Sequence, residues 1–95
     1  MSHFVYIIYS EIIDQYYIGE TKDVKQRVSQ HNNHLFKKSF TSRAMDWNLI
    51  MCFECDNIIH ARRLEKFIKR MKSKNFIRSL VNDQTKANDI IQKCR

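Results

Sequence analysis

Phe4-Val5-Tyr6-Ile7-Ile8-Tyr9 and, a short way on, Gln15-Tyr16-Tyr17-Ile18-Gly19 decide how this chain folds. The first segment is β-branched and aromatic, and its apolar character is nearly continuous. That is the pattern of a central strand covered on both faces. Glu11-Ile12-Ile13-Asp14 reads as a turn, with charges at its ends. The second segment then reads as another strand. Strands so near in sequence pair as an antiparallel hairpin.

Outward from the hairpin, Thr21 is suited to cap a helix, and Asp23 would sit in its first turn. Val24 and Val28 recur at helical spacing, which predicts a helix from about Lys22 to Asn32. His34 to Asp46 is polar and basic without clear periodicity and reads as an exposed loop. Trp47 to Glu54 reads as a third strand. Asn57 is placed to cap a second helix, in which Ala61, Leu64, Ile68 and Met71 line one face beside Phe67. Lys72-Ser73-Lys74 bends or breaks it, and Phe76, Ile77, Leu80 and Val81 mark a short following helix. Ile90 and Ile91 suggest a last turn of structure. The expected order is β-β-α-β-α-α. This is an α+β fold with a small three-stranded antiparallel sheet flanked by helices.

Composition narrows the function. The chain has 95 residues, too few for a second core. Pro is absent and Gly occurs once, which excludes collagen-like and linker-type sequences. The longest apolar run is too short to span a bilayer, so no membrane partner is expected. That run has neither a basic segment before it nor a small-residue cleavage site after it, so it does not read as a signal peptide. Seventeen Lys and Arg against ten Asp and Glu give a net charge of +7, which favours a polyanionic partner such as nucleic acid. Three Cys without a secretory signal suggest a reduced, cytoplasmic protein. Cys52 and Cys55 are three apart on a strand and so face opposite ways, and no zinc site is expected.

Three features carry chemistry. Gly19, the sole glycine, ends the second strand, where it serves as a turn glycine or permits a close approach of another group. Arg27 and His31 share a helix face at i, i+4. They read as a solvated face or as a phosphate contact. Glu65 is the only acid among Arg62, Arg63, Lys66, Lys69, Arg70, Lys72, Lys74 and Arg78. It reads as an i, i+4 partner of Lys69 or as a carboxylate that holds a divalent metal beside a phosphate.

Together these features resemble the GIY-YIG nuclease superfamily, and within it the small stand-alone bacterial predicted endonucleases. Val5-Tyr6-Ile7 stands at the first motif, with Val5 where the motif's first Gly would be. Tyr17-Ile18-Gly19 is the second motif intact. Arg27 and His31 match the following helix, and Ala61 to Lys69 resembles the later helix with its glutamate. The resemblance implies a single catalytic domain over 1–95, with a core of about 4–80 and a short C-terminal extension, 81–95.

It also implies metal-dependent hydrolysis of DNA phosphodiester bonds. By the resemblance, Tyr17 takes the proton from the attacking water, and Tyr6 orients water or phosphate. Arg27 offsets charge on the phosphate oxygens, and His31 hydrogen-bonds this network or shares the base role. Glu65 binds one Mg2+ or Mn2+, and Gly19 is a structural part of the motif. Lys37, Lys38, Ser39, Thr41, Arg43, Arg62 and Lys69 would follow the nucleic-acid backbone. Asn75 and Asn82 are left outside the core site. DNA is the expected partner, with RNA, oligomeric state and pathway left open. Branched, damaged and single-stranded substrates all fit this reading. The alternative is a nucleic-acid-binding module on the same scaffold that does not cut.

Overall fold

The strand β1 (His3–Ser10) lies in the middle of a three-stranded antiparallel sheet, with β2 (Gln15–Thr21) on one side and β3 (Asn48–Cys55) on the other. This computed structural model describes residues 2–33, 43–71 and 73–95. Val5, Tyr6, Ile7 and Ile8 are all buried because the sheet is covered on both faces, as their unbroken apolar run requires.

The hairpin register pairs Tyr6 with Gly19 and Ile8 with Tyr17. Residues directly opposite one another share a face. Tyr6, Ile8, Tyr17 and Gly19 therefore look to one side, and Val5, Ile7 and Ile18 to the other. At the turn Asp14 adopts φ 50, a left-handed conformation that Asp tolerates better than most residues. Its carboxylate accepts from the Tyr9 hydroxyl at 2.5 Å and from Lys74 Nζ at 2.9 Å. On the opposite edge, Ile7 pairs with Met51 and Ile8 with Leu49, a register shift at Ile50.

The helix α1 (Val24–Asn32) covers the Tyr6 face. Val24 and Val28 pack with Tyr6, Ile8, Ala44 and Trp47 in a small core. The end of α1 is tied to the start of β3 by a reciprocal pair: Trp47 N–H donates to Asn32 Oδ1 at 2.8 Å, and Asn32 Nδ2 donates to the Trp47 carbonyl at 2.9 Å. The cap of α1 is Asp23, which accepts from Gln26 N–H, not Thr21. Thr21 still belongs to β2, and its hydroxyl accepts from Asp23 N–H at 3.2 Å.

The larger core lies on the other face. It is built by α2 (Ile58–Met71), α3 (Lys74–Asn82) and α4 (Gln84–Lys93). Ala61, Leu64 and Ile68 from α2 join Ile77 and Leu80 from α3 and Ala87 and Ile90 from α4. Asn57 accepts from His60 N–H at 2.9 Å at the start of α2. Ser73 caps α3 and Asp83 caps α4. The last turn expected at Ile90–Ile91 is a full helix, and its Ala87, Ile90 and Cys94 belong to the same core as Val5 and Ile7. Met71, expected on the buried stripe of α2, is exposed at its end. The first nine residues of the expected basic loop, 34–42, lie outside the described residues.

Candidate active site

The site forms where the hairpin, α1 and α2 meet. The central strand presents Tyr6, which burial leaves only 1% exposed. Its hydroxyl lies 2.8 Å from His31 Nε2 in a buried hydrogen bond. Tyr17, half-buried on the edge strand, completes an aromatic triangle. Ring centroids are 6.3 Å apart for Tyr6 and Tyr17, 5.9 Å for Tyr6 and His31, and 5.1 Å for Tyr17 and His31.

Gly19 explains how the Tyr6 ring fits. A Cβ at residue 19 would overlap the Tyr6 hydroxyl and lie 2.6 Å from its Cζ and 2.9 Å from its Cε1. No glycine here has a positive φ. The residue is therefore needed for close approach and not for its dihedrals.

Arg27 sits one helical turn before His31 and acts electrostatically on both Tyr6 and His31. Burial raises the Tyr6 phenol well above its ordinary value, and Tyr17 adds to this. Arg27 opposes the rise, while Glu65 and Glu20 reinforce it. Burial pushes the His31 imidazole down to about 4, with Arg27 adding to the effect. Both groups are thus neutral at pH 7, as expected for ionisable groups removed from water.

The helix α2 brings Glu65 to the site. Its half-buried carboxylate lies 3.2 Å from Lys69 Nζ, and that ammonium is 5.8 Å from the Tyr17 ring centroid. Arg62, Glu65 and Lys69 fall on one helical stripe, with Arg62 and Lys69 exposed. The structure thus brings together Tyr6, Tyr17, Gly19, Arg27, His31, Glu65 and Lys69. Arg43 is exposed near the start of β3. Lys37, Lys38, Ser39 and Thr41 lie outside the described residues. Asn75 and Asn82 are exposed residues of α3.

A sequence model of the GIY-YIG catalytic domain matches residues 2–78. The chain belongs to the GIY-YIG nuclease family. Among solved structures, a UPF0213 protein of Bacillus halodurans, determined by solution NMR, is similar with a TM-score of 0.53 and 26% identity. The similarity covers 86% of this chain and 84% of that one. No curated protein matches the chain.

One charge near this GIY-YIG site was not evident in the sequence. Glu20 contributes negative charge near Tyr6 and is held by His3, which bonds its carboxylate. Along β2 it points away from the face that carries Gly19, so strand alternation gives no sign of it. The antiparallel register sets Val5 opposite Glu20 and so brings it beside β1. Cys52 is exposed and Cys55 buried, so the C-x-x-C sulfurs face opposite ways. Among the described residues no group of three or more His, Cys, Asp or Glu is gathered for a metal. No helix among them is long and apolar enough to cross a membrane.

Proposed function

We propose that this GIY-YIG domain is a metal-dependent endonuclease that hydrolyses DNA phosphodiester bonds, at branched, damaged or single-stranded structures. The observation that carries the reading is the meeting of Tyr6, Tyr17 and His31 with Arg27 and Glu65 from separate elements. Structural packing alone does not call for a buried phenol–imidazole pair next to a guanidinium and a carboxylate.

Glu65 suits a hard divalent cation. It offers carboxylate oxygens, is only partly buried, and needs few protein partners, because Mg2+ keeps waters and takes substrate phosphate oxygens. The chemistry supplied by bound Mg2+ or Mn2+ is Lewis-acid polarisation of the phosphate and stabilisation of the leaving oxygen.

The protein's own groups do the rest. Tyr17, half-buried and next to Lys69, meets the attacking water and takes its proton. Tyr6 stays a phenol and orients water or phosphate, since burial opposes its ionisation. Neutral His31 shares a hydrogen bond with Tyr6 and so ties the phenol into the proton-transfer network, sharing the base role. Arg27 offsets charge that builds on the non-bridging oxygens. Arg62 and Lys69 extend the cationic stripe along α2 for contact with the backbone.

The test is cleavage of supercoiled, branched and single-stranded DNA with Mg2+ or Mn2+, comparing the protein with Glu65→Ala, with a chelator control. Cutting that needs metal and Glu65 supports the proposal. Equal cutting by both proteins overturns the site assignment. The second reading, a module that binds without cutting, draws on the Lys69–Glu65 ion pair, which occupies the carboxylate. Salt-sensitive binding with no cutting by either protein would favour it.

A further inference from the structure

A cavity of about 320 Å³ opens along the β2 edge, between that strand and the α2–α3 junction. Its walls include Tyr16, Tyr17, Ile68 and Ile77, and Lys69 and Lys74 also border it. We infer that this cavity receives one unpaired nucleobase of the substrate, next to the phosphodiester that is cut. The inference rests on the nuclease reading above and extends it to the form of the substrate.

The shape and chemistry match a nucleotide unit. Ile68 and Ile77, buried in the core, close the floor of the cavity with apolar atoms. Tyr16 supplies an aromatic surface whose orientation is already set. Its ring lies 4.7 Å from that of Tyr9, centroid to centroid. The Arg78 guanidinium interacts electrostatically with Tyr16. A pre-set ring loses little freedom when a base packs on it.

Charge decides what kind of planar group enters. Lys69 borders the cavity on the side of Tyr17 and Glu65. Lys74 borders it too, near the hairpin turn, where it holds Asp14. A base carries a phosphate on each side along its strand, and these two ammoniums lie where such phosphates can meet them. An apolar metabolite would need neither. A base stacked inside a duplex cannot reach a cavity in the protein, so the occupant is an extrahelical or single-stranded nucleotide. Because Tyr17 and Lys69 belong both to the cavity and to the candidate active site, the bound base fixes which phosphodiester is presented.

The experiment measures binding, with chelator present, to a short DNA duplex carrying one bulged adenine. Controls are the fully paired duplex and the same bulge without its base. The expected result is that the protein binds the bulged adenine about tenfold more tightly than either control, the scale of one base–aromatic stack. Tyr16→Leu, with folding checked by circular dichroism, is expected to bring that ratio to about one. Tyr16→Phe, which keeps the ring and loses the hydroxyl, is expected to retain it. A preference that survives removal of the bulged base, or that persists in Tyr16→Leu, overturns the inference. So does a ratio near one for the unaltered protein. Cleavage of the same duplexes with Mg2+ is scored separately. Cutting without base preference would reject the cavity and leave the nuclease standing, whereas base preference without cutting would do the reverse.

Discussion

The Tyr6 hydroxyl and His31 Nε2 lie 2.8 Å apart in a buried hydrogen bond between the central strand and the first helix. Burial acts on the two groups in opposite senses and with one result. It raises the phenol and lowers the imidazole to about 4, because in each case the charged form loses its water. At pH 7 the pair is neutral and shares one transferable proton. That is a poised arrangement for moving a proton and a poor one for holding an ion.

This pair predicts an acid-sensitive fold. In the unfolded chain the His31 imidazole titrates at its ordinary value of 6.5, and in the folded chain at about 4. Between these values the unfolded state binds more protons. His31's contribution to stability is therefore fully present above pH 6.5 and is lost as pH falls towards 4. The loss amounts to as much as about 3 kcal/mol. Urea unfolding midpoints across this window should fall for the protein and fall less for His31→Gln. Equal slopes in both proteins would place the acid sensitivity at another group.

Gly19→Ala should be destabilising out of proportion to its size. The new methyl must displace the buried Tyr6 ring, whose Cζ it would meet at 2.6 Å. Overpacking of this kind costs about 1–3 kcal/mol. The penalty should shrink in a Tyr6→Leu background, where the ring is gone, so a double-mutant cycle should show coupling. Additive effects would mean that the strand moves and the ring does not.

Glu65→Gln should separate stability from activity. The ion pair with Lys69 is half exposed, and such i, i+4 pairs contribute about 0.3–0.5 kcal/mol. Chemical denaturation should hardly change, while metal-dependent cleavage should fall by about a hundredfold, the scale of losing one group that stabilises transition-state charge. A large loss of stability would show that the carboxylate mainly supports the packing of α2.

The last helix should prove essential to the fold. His60 is 3% exposed. Its Nδ1 accepts from Asp56 N–H at 3.1 Å, so Nε2 carries the proton and donates to the Ile91 carbonyl at 2.9 Å. His60→Leu leaves both backbone groups without that partner, at a cost of about 1–3 kcal/mol. Hydrogen exchange should then speed up first in α4. Unchanged protection there would show that the apolar contacts of Ala87 and Ile90 alone hold the helix.

Much of this molecule was readable from residue order. The strands, the helix at Val24 and Val28 and the helix through Leu64 follow from apolar periodicity, which depends on local geometry. So does the pairing of the first two strands, since a short turn brings them side by side. The motif residues Tyr6, Tyr17, Arg27, His31 and Glu65 were named by the family resemblance, and the fold brings them close together. Less was evident at boundaries and ends. Thr21 and Asp23 are both good caps, and only the length of β2 decided for Asp23. Gln84 to Lys93 is polar on most of its surface, so its helix was foreseen only as a turn.

What the sequence by itself determined is which side chains face which way within each element, because helix and strand periods are local. The tertiary structure decided distances between elements. The antiparallel register sets Gly19 against the Tyr6 ring and brings Glu20 beside β1. The docking of α1 brings His31 to the Tyr6 hydroxyl. Those distances set the burial, and burial keeps the phenol and the imidazole neutral. No local pattern encodes it, since the loss of solvent around a group depends on everything packed around it.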